Sequence, residues 1–397
     1  MKRIVIVGSG FAGTWSALSA ARQLNQFNIS SDEVKIQVVN RDAYLGIRPR
    51  FYEKNPQNYR FPLEKVFKPT GVDFIQGEVE KINTESQVVT INRQEKLTIH
   101  YDRLIYTAGS QLIRPNIQGF QHSFSVDTLQ DAVKLDQHIH QLPSLSTDEG
   151  KYTVVVVGAG FAGLEVATEM VSRIQEIAKK EKKESEAKVI LIERASVVGP
   201  ELGANPRPII EQALQELNIE VHTNETVSEM TEQGIVLQNG KRIPAATVIW
   251  TAGLQANPLA KWFPVEKDHL GRLSVDSYLK VEGINSVFAA GDAVKARTDD
   301  HHFSLMSCQH ANPQGRVAGH NAVCDLLGID EKIPYRQEGY KTGLDLGAWG
   351  ALITSGWDRV PVMQKEEAKK VKRGVNQAIY PPSSENRDEI FAAAELL

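Results

Sequence analysis

The sequence predicts an α/β protein assembled from two similar doubly wound units. Three observations predict it. Residues 4–13 read IVIVGSGFAG and residues 154–163 read VVVVGAGFAG, so one strand–turn–helix beginning occurs twice. Each apolar, β-branched run ends in G-x-G-x-x-G and passes into a helical-looking segment, Trp15–Ala20 in one copy and Leu164–Met170 in the other. A third apolar run, Val287–Ala290, ends in Gly291-Asp292.

The repeated turn has a physical reading. Gly8, Gly10 and Gly13, like Gly158, Gly160 and Gly163, allow a tight strand-to-helix turn and let the backbone approach a pyrophosphate. The unpaired amides and positive dipole end of the following helix then meet the phosphates. One such motif is a weak signal. Two copies, each on an apolar strand, are a specific one. Each unit should also bring a hydrogen-bonding residue to a ribose at the end of its second strand. In the second copy Lys188–Ile192 ends at Glu193, which favours a free 2′-hydroxyl and so NAD(H) over NADP(H). Arg194 beside it is the side chain that would take a phosphate instead. In the first copy Val34–Val39 ends at Asn40. Two dinucleotide units in one chain imply one cofactor held and one exchanging, the arrangement that hydride transfer from nicotinamide to flavin requires.

Composition bounds the remainder. At ~150 residues per domain, 397 residues suggest two or three domains. The net charge of −4 gives no pull toward nucleic acid. The two cysteines, Cys308 and Cys324, exclude a disulfide scaffold, a multi-cysteine zinc site and a cysteine-held iron–sulfur cluster. They also fit a reducing, cytoplasmic location. No metal is expected, because His301-His302 with Asp299-Asp300 reads as an exposed loop. Met-Lys-Arg followed by four apolar residues reads as a buried strand and not as a signal peptide. The longest uncharged stretches, Tyr152–Leu164 and Leu346–Trp357, fall short of the ~18 residues that cross a bilayer. The second, with Trp349 and Trp357, reads as core or as an interfacial segment. The charged runs Lys179–Lys188 and Lys369–Arg373 read as solvated helix faces, with membrane docking as the alternative for the latter.

From the two glycine turns and Val287–Asp292 onward, the chain resembles the two-dinucleotide flavoprotein reductases of the pyridine nucleotide–disulfide oxidoreductase superfamily. The resemblance covers about residues 1–335 and includes Tyr101–Ser110 and Thr247–Gly253, which match connecting strands. It implies residues 1–115 as the first part of an FAD-binding domain, 116–275 as an NAD-binding insertion, 276–335 as the return to the FAD domain, and 336–397 as a C-terminal interface segment. It implies FAD at Gly8, Gly10, Phe11, Ala12, Gly13, Asn40, Arg48, Ala108, Gly109 and Gly291, with Asp292 on the ribitol and Gln309 beside the cofactor. It implies NAD(H) at Gly158, Gly160, Phe161, Gly163, Glu193 and Gly253.

No cysteine precedes Cys308, so a thiol–disulfide relay is excluded as the electron exit. Among members lacking the disulfide, the chain most resembles the type II NADH dehydrogenases, which reduce quinones. Trp250 in the strand before Gly253, Glu165 in Gly163-Leu164-Glu165, the segment Cys308–Gly315 and Ile379–Pro382 carry this. Cys308–Gly315 follows the quinone-site pattern Ala-Gln-x-Ala-x-Gln-x-Gly, with Gln309 in place, Cys308 for the alanine, Pro313 at the second glutamine position and Gln314 one residue later. The C-terminal membrane helices of that group are missing or reduced here.

The resemblance therefore implies catalytic roles for Glu165, near nicotinamide and flavin, and for Gln309 and His310 at the acceptor. His310 reads either as a proton relay or as a structural ring. Arg48 and Arg50 flank Pro49 in a loop near the flavin, and either meet an anion or pair with a carboxylate such as Glu53. Cys308 reads as a reactive thiol or as a small hydrophobe. Quinone is the leading acceptor. A redox-protein partner, a small anionic substrate and a non-catalytic NADH/FAD sensor are the alternatives. Contact with a membrane surface and a homodimer are both compatible with the sequence.

Overall fold

The computed structural model describes residues 1–146 and 149–396. Residues 147, 148 and 397, which fall within the 116–275 and 336–397 segments, lie outside the described residues. The first unit runs β1 (Lys2–Val7), α1 (Phe11–Gln26), β2 (Val34–Asn40), β3 (Asp73–Gln76) and β4 (Arg103–Tyr106). After β5 (Ser110–Leu112) the second unit runs β6 (Thr153–Val157), α2 (Phe161–Lys179), β7 (Lys188–Ile192), β8 (Glu220–His222) and β9 (Thr247–Trp250), and is followed by β10 (Leu254–Ala256). The chain then returns through β11 (Val287–Ala289) and α3 (Cys308–Leu327). It ends in β12 (Lys341–Asp345), β13 (Ala351–Ser355), β14 (Val360–Gln364) and α4 (Lys365–Ala378), before a last short helix.

The first sheet has the order β11-β4-β1-β2-β3 and is parallel throughout. The second has the order β8-β7-β6-β9, again parallel. Both central strands, Ile4–Val7 and Val154–Val157, are buried on both faces. That explains why they read as continuous apolar runs and not as alternating ones. β5 and β10 pair antiparallel. Each follows a Thr-Ala-Gly step, Thr107–Gly109 or Thr251–Gly253, so the exits of the two units are stitched together. The C-terminal strands form a separate antiparallel sheet, β12-β13-β14, with α4 against it. Leu346, Trp349 and Leu352 sink into the apolar core of the second unit, so Leu346–Trp357 is core and turn.

The charged run in α4 departs from expectation. Lys372 is buried, as are Ala368 and Asn376 at the same helical spacing, whereas Val371 and Val375 are exposed. The helix turns its lysine inward and its valines outward, so Lys369–Arg373 is not a simple solvated face. Lys179–Lys188 does lie at the surface, spanning the end of α2 and a short turn.

α1 and α3 cross closely through small residues. A Cβ on Gly315 would strike the Ala12 backbone, and one on Gly319 would strike the Ser16 backbone. This crossing fixes the first glycine turn against the helix that begins at Cys308. Gly319→Val should cost about 1–3 kcal/mol through overpacking. Gly374→Ala, in open space within α4, should instead stabilise by about 0.5–1 kcal/mol. Denaturant unfolding of both variants measures this, and equal effects would contradict the packing account.

Candidate active site

The two glycine turns have the same construction. Gly8 and Gly158 stand at φ +99° and +104°, conformations that L side chains rarely adopt. A Cβ on Gly13 or Gly163 would strike the carbonyl of Gly8 or Gly158. Thr107 Oγ donates to the Val7 and Gly8 carbonyls, and Thr251 Oγ donates to those of Val157 and Gly158. Asn40 Oδ1 accepts from the Ser9 amide at 3.3 Å, and Glu193 accepts from the Ala159 amide at 2.7 Å. Glu193 also accepts from the Ala195 amide at 2.7 Å, which fixes its carboxylate at the strand end. Both helices begin at an N-cap glycine, Gly10 or Gly160, without a side-chain cap. Phe11 and Phe161 are their half-buried first residues. Gly109 and Gly253 both have positive φ where their strands leave the sheets.

Around the first turn, Ala12 is held small by Gly291, where a Cβ would lie 2.9 Å from its methyl. The Gly291 amide donates to Gln314 Oε1 at 2.7 Å. Gln314 therefore props the Gly-Asp turn and is not an acceptor-side group. Asp292 accepts from Ser110 Oγ at 2.6 Å and lies 3.8 Å from Arg48, which also donates to Ser110 Oγ at 2.8 Å and pairs with Asp127. Burial pushes the Asp292 carboxyl up, against the pull of the Arg48 guanidinium. Arg50 makes a two-point pair with Glu53, both bonds 2.8 Å, and stacks over Tyr59. Both arginines meet carboxylates: Glu53 pairs with Arg50, and Asp127 and Asp292 flank Arg48. They do not form an open cationic pocket.

The contact between the second unit and the C-terminal segment is ionic and buried. Glu165, in the first turns of α2, is fully enclosed. Its carboxylate accepts from Lys372 Nζ at 3.0 Å and from the Asp345 amide at 3.0 Å. Lys372 also donates to the Gly343 carbonyl at 2.6 Å. Asp345 pairs with Lys369. Burial raises the Glu165 carboxyl to about 6 despite the Lys372 ammonium, and raises Glu169, one turn on, to about 7. The buried Tyr52 hydroxyl, without a hydrogen-bond partner among the described residues, faces the same acids.

Cys308 opens α3 within reach of both Lys372 and Asp292. Burial pushes its thiol up, which disfavours the thiolate and leaves it a small hydrophobe. Gln309 faces the C-terminal segment: with its amide turned so that nitrogen meets the acceptor, it donates to the Lys341 carbonyl at 2.5 Å and accepts from the Lys341 amide at 3.2 Å. Pro313 cannot donate to the Gln309 carbonyl four residues back, and Gln337 Nε2 takes that acceptor at 3.2 Å.

His310 is fully buried, stacked on Tyr340, with Nδ1 at 3.0 Å from Gln337 Oε1. Burial lowers its pKa, and no hydrogen bond joins it to the Glu165 cluster among the described residues. His302 pairs with Asp299 and stacks on Trp357, and no metal-holding cluster exists among the described residues.

Sequence reasoning missed Lys372, Asp345, Asp127 and Glu201. The Glu201 carboxylate accepts from the Phe161 amide at 2.7 Å, at the second turn. The spacing Ala368, Lys372, Asn376 was the only available signal for Lys372.

The residues of the first turn fit a dinucleotide. Space is open over Gly10 and Gly109, where a Cβ would meet nothing within 4 Å. The Ser9 hydroxyl is buried in the first turn without a hydrogen-bond partner among the described residues. Comparison with known proteins agrees. The pyridine nucleotide-disulphide oxidoreductase family model matches residues 2–315. An NADH dehydrogenase-like protein of Mycobacterium tuberculosis is 40% identical over 399 residues, covering 99% of this chain and 98% of its own. The demethylphylloquinone reductase of Synechocystis is 29% identical over 366 residues, covering 89% and 86%. The structure of Plasmodium falciparum NDH2 in complex with NADH superposes with TM-score 0.78 over 99% of this chain and 97% of that one, at 17% identity, which is a likeness of fold. The chain belongs to the pyridine nucleotide-disulphide oxidoreductase family, as an FAD-dependent oxidoreductase of NADH similar to the NADH dehydrogenases.

Proposed function

We propose that the protein oxidises NADH and delivers the electron pair to a quinone where α3 begins against the C-terminal segment. The buried Glu165–Lys372 pair carries this reading. The demethylphylloquinone reductase among the relatives supports the acceptor class. In this reading residues 1–115 and 276–335 hold FAD, 116–275 hold NAD(H), and 336–397 close the acceptor side. Gly8, Gly10 and Gly13 face the FAD pyrophosphate and Asp292 the ribitol. Gly158, Gly160 and Gly163 face that of NADH, and Glu193 its adenosine ribose. Bound FAD supplies a two-electron carrier between NADH and the acceptor.

What the chain itself must supply is a proton. NADH and a quinone become NAD⁺ and a quinol with uptake of one proton from solvent. Glu165 is placed to hold it. Burial makes its carboxyl a weak enough acid to carry a proton near neutral pH, and Lys372 keeps the ionised form tolerable after release. Gln309 orients the acceptor from the other side of the Cys308 turn. His310 packs that turn from within.

The outward valines suit a peripheral membrane contact. Val360, Val362, Val371 and Val375 are exposed, with Lys365, Lys370 and Arg373 also exposed on α4. Among the described residues no helix is long and apolar enough to cross a membrane.

In anaerobic stopped flow, NADH should bleach the flavin and a menaquinone or ubiquinone analogue should restore it; a bleached enzyme that no quinone reoxidises overturns the reading. Glu165→Gln should slow the reoxidation about 10²-fold, the usual worth of a positioned proton donor, and Lys372→Met should move the pH profile of that step upward, because loss of the ammonium raises the carboxyl further. Separately, Val371→Glu with Val375→Glu should abolish co-sedimentation with anionic phospholipid vesicles. Unchanged sedimentation would contradict the peripheral contact.

A further inference from the structure

The two glycine turns differ over their middle glycine. A Cβ built on Gly10 meets nothing within 4 Å, so the first seat is open. A Cβ built on Gly160 would lie 2.5 Å from Glu201 Oε1. The same oxygen accepts from the Phe161 amide at 2.7 Å. A carboxylate thus stands over the middle glycine of the second turn, on the first free amide of α2, where the repeat places a phosphate.

The segment carrying Glu201 is fixed through its backbone and exposed at its side chain. Pro200–Leu202 is a short 3₁₀ turn flanked by Gly199 and Gly203, at φ +55° and +82°. Leu202 is anchored in the core, whereas Glu201 itself is exposed. The loop is tied to the turn between β13 and β14: Arg359 donates to the Glu201 carbonyl, and Asn205 Nδ2 donates to the Asp358 carbonyl at 2.8 Å. Its backbone is held from the C-terminal segment, while its carboxylate, on an exposed side chain, meets the Phe161 amide.

We propose that Glu201 is an internal anion that occupies the pyrophosphate seat of the NAD(H) site and must withdraw for the dinucleotide to bind. This rests on the second turn being that site. A helix N-terminus stabilises one anion or another, not both in the same place. The guarded seat therefore binds its dinucleotide more weakly than an open one, which is what an exchanging cosubstrate needs beside a resident flavin.

The test uses the flavin-loaded enzyme and two probes, ADP-ribose, which carries the pyrophosphate, and adenosine, which does not. Glu201→Gln keeps the size and removes the charge. It should tighten ADP-ribose about tenfold, within the range of a carboxylate at a helix N-terminus, and leave adenosine unchanged. Unchanged or weaker ADP-ribose binding overturns the proposal, as does equal tightening of adenosine. Glu193→Ala separates the two levels. If it weakens ADP-ribose while Glu201→Gln does nothing, the guard fails and the site stands. If Glu193→Ala also has no effect, the second turn is not the NAD(H) site.

Discussion

A parallel strand that ends inside a protein must turn sharply into the next helix, and the first amides of that helix then have no partners. The whole chain depends on this constraint being used twice. Gly13 and Gly163 let each helix press onto its own turn, and Thr107 and Thr251 fasten the turn to the neighbouring strand. What remains is a pair of amide ends, each beside a strand-end residue, Asn40 or Glu193, that accepts from an amide of its own turn. Burial of the central strands supplies the rigidity, since both are enclosed on both faces. The antiparallel bridge between Ser110–Leu112 and Leu254–Ala256 then sets the two ends toward one another.

Between those ends the protein places charge where water is scarce. A buried lysine–glutamate pair is a poor source of stability, because desolvating both ions offsets most of their attraction. Its persistence here, completed by the Asp345 amide and the Gly343 carbonyl, is better explained by what it does to the acidity of Glu165. The C-terminal segment is the supplier of Lys372, of the Lys341 backbone that holds Gln309, and of the Arg359 tether on the Glu201 loop. It reaches every part of the junction without contributing to either parallel sheet.

Much of this was legible in the sequence because the glycine turn is local. Six residues in a row state their own geometry, and the acid at the end of the following strand lies within one unit. Asp292 was legible for the same reason. The junction was not, since Lys372 meets Glu165 across 207 residues. Its neighbours Val371 and Val375 argue for the opposite face of the helix. Gln314 illustrates a subtler failure. Its place one residue beyond the pattern said nothing of its partner, which is the Gly291 amide. Pro313 explains part of that displacement, because the carbonyl it leaves unbonded is taken by Gln337.

The central claim is that Glu165 and Lys372 act as one unit in delivering a proton to the acceptor. A double-mutant cycle on the rate at which quinone reoxidises the reduced enzyme tests it most directly, using Glu165→Gln, Lys372→Met and the pair together. Groups acting as a unit give strongly non-additive losses. The account predicts that the double variant is no slower than Glu165→Gln alone. Losses that simply multiply would mean two independent roles and would contradict it.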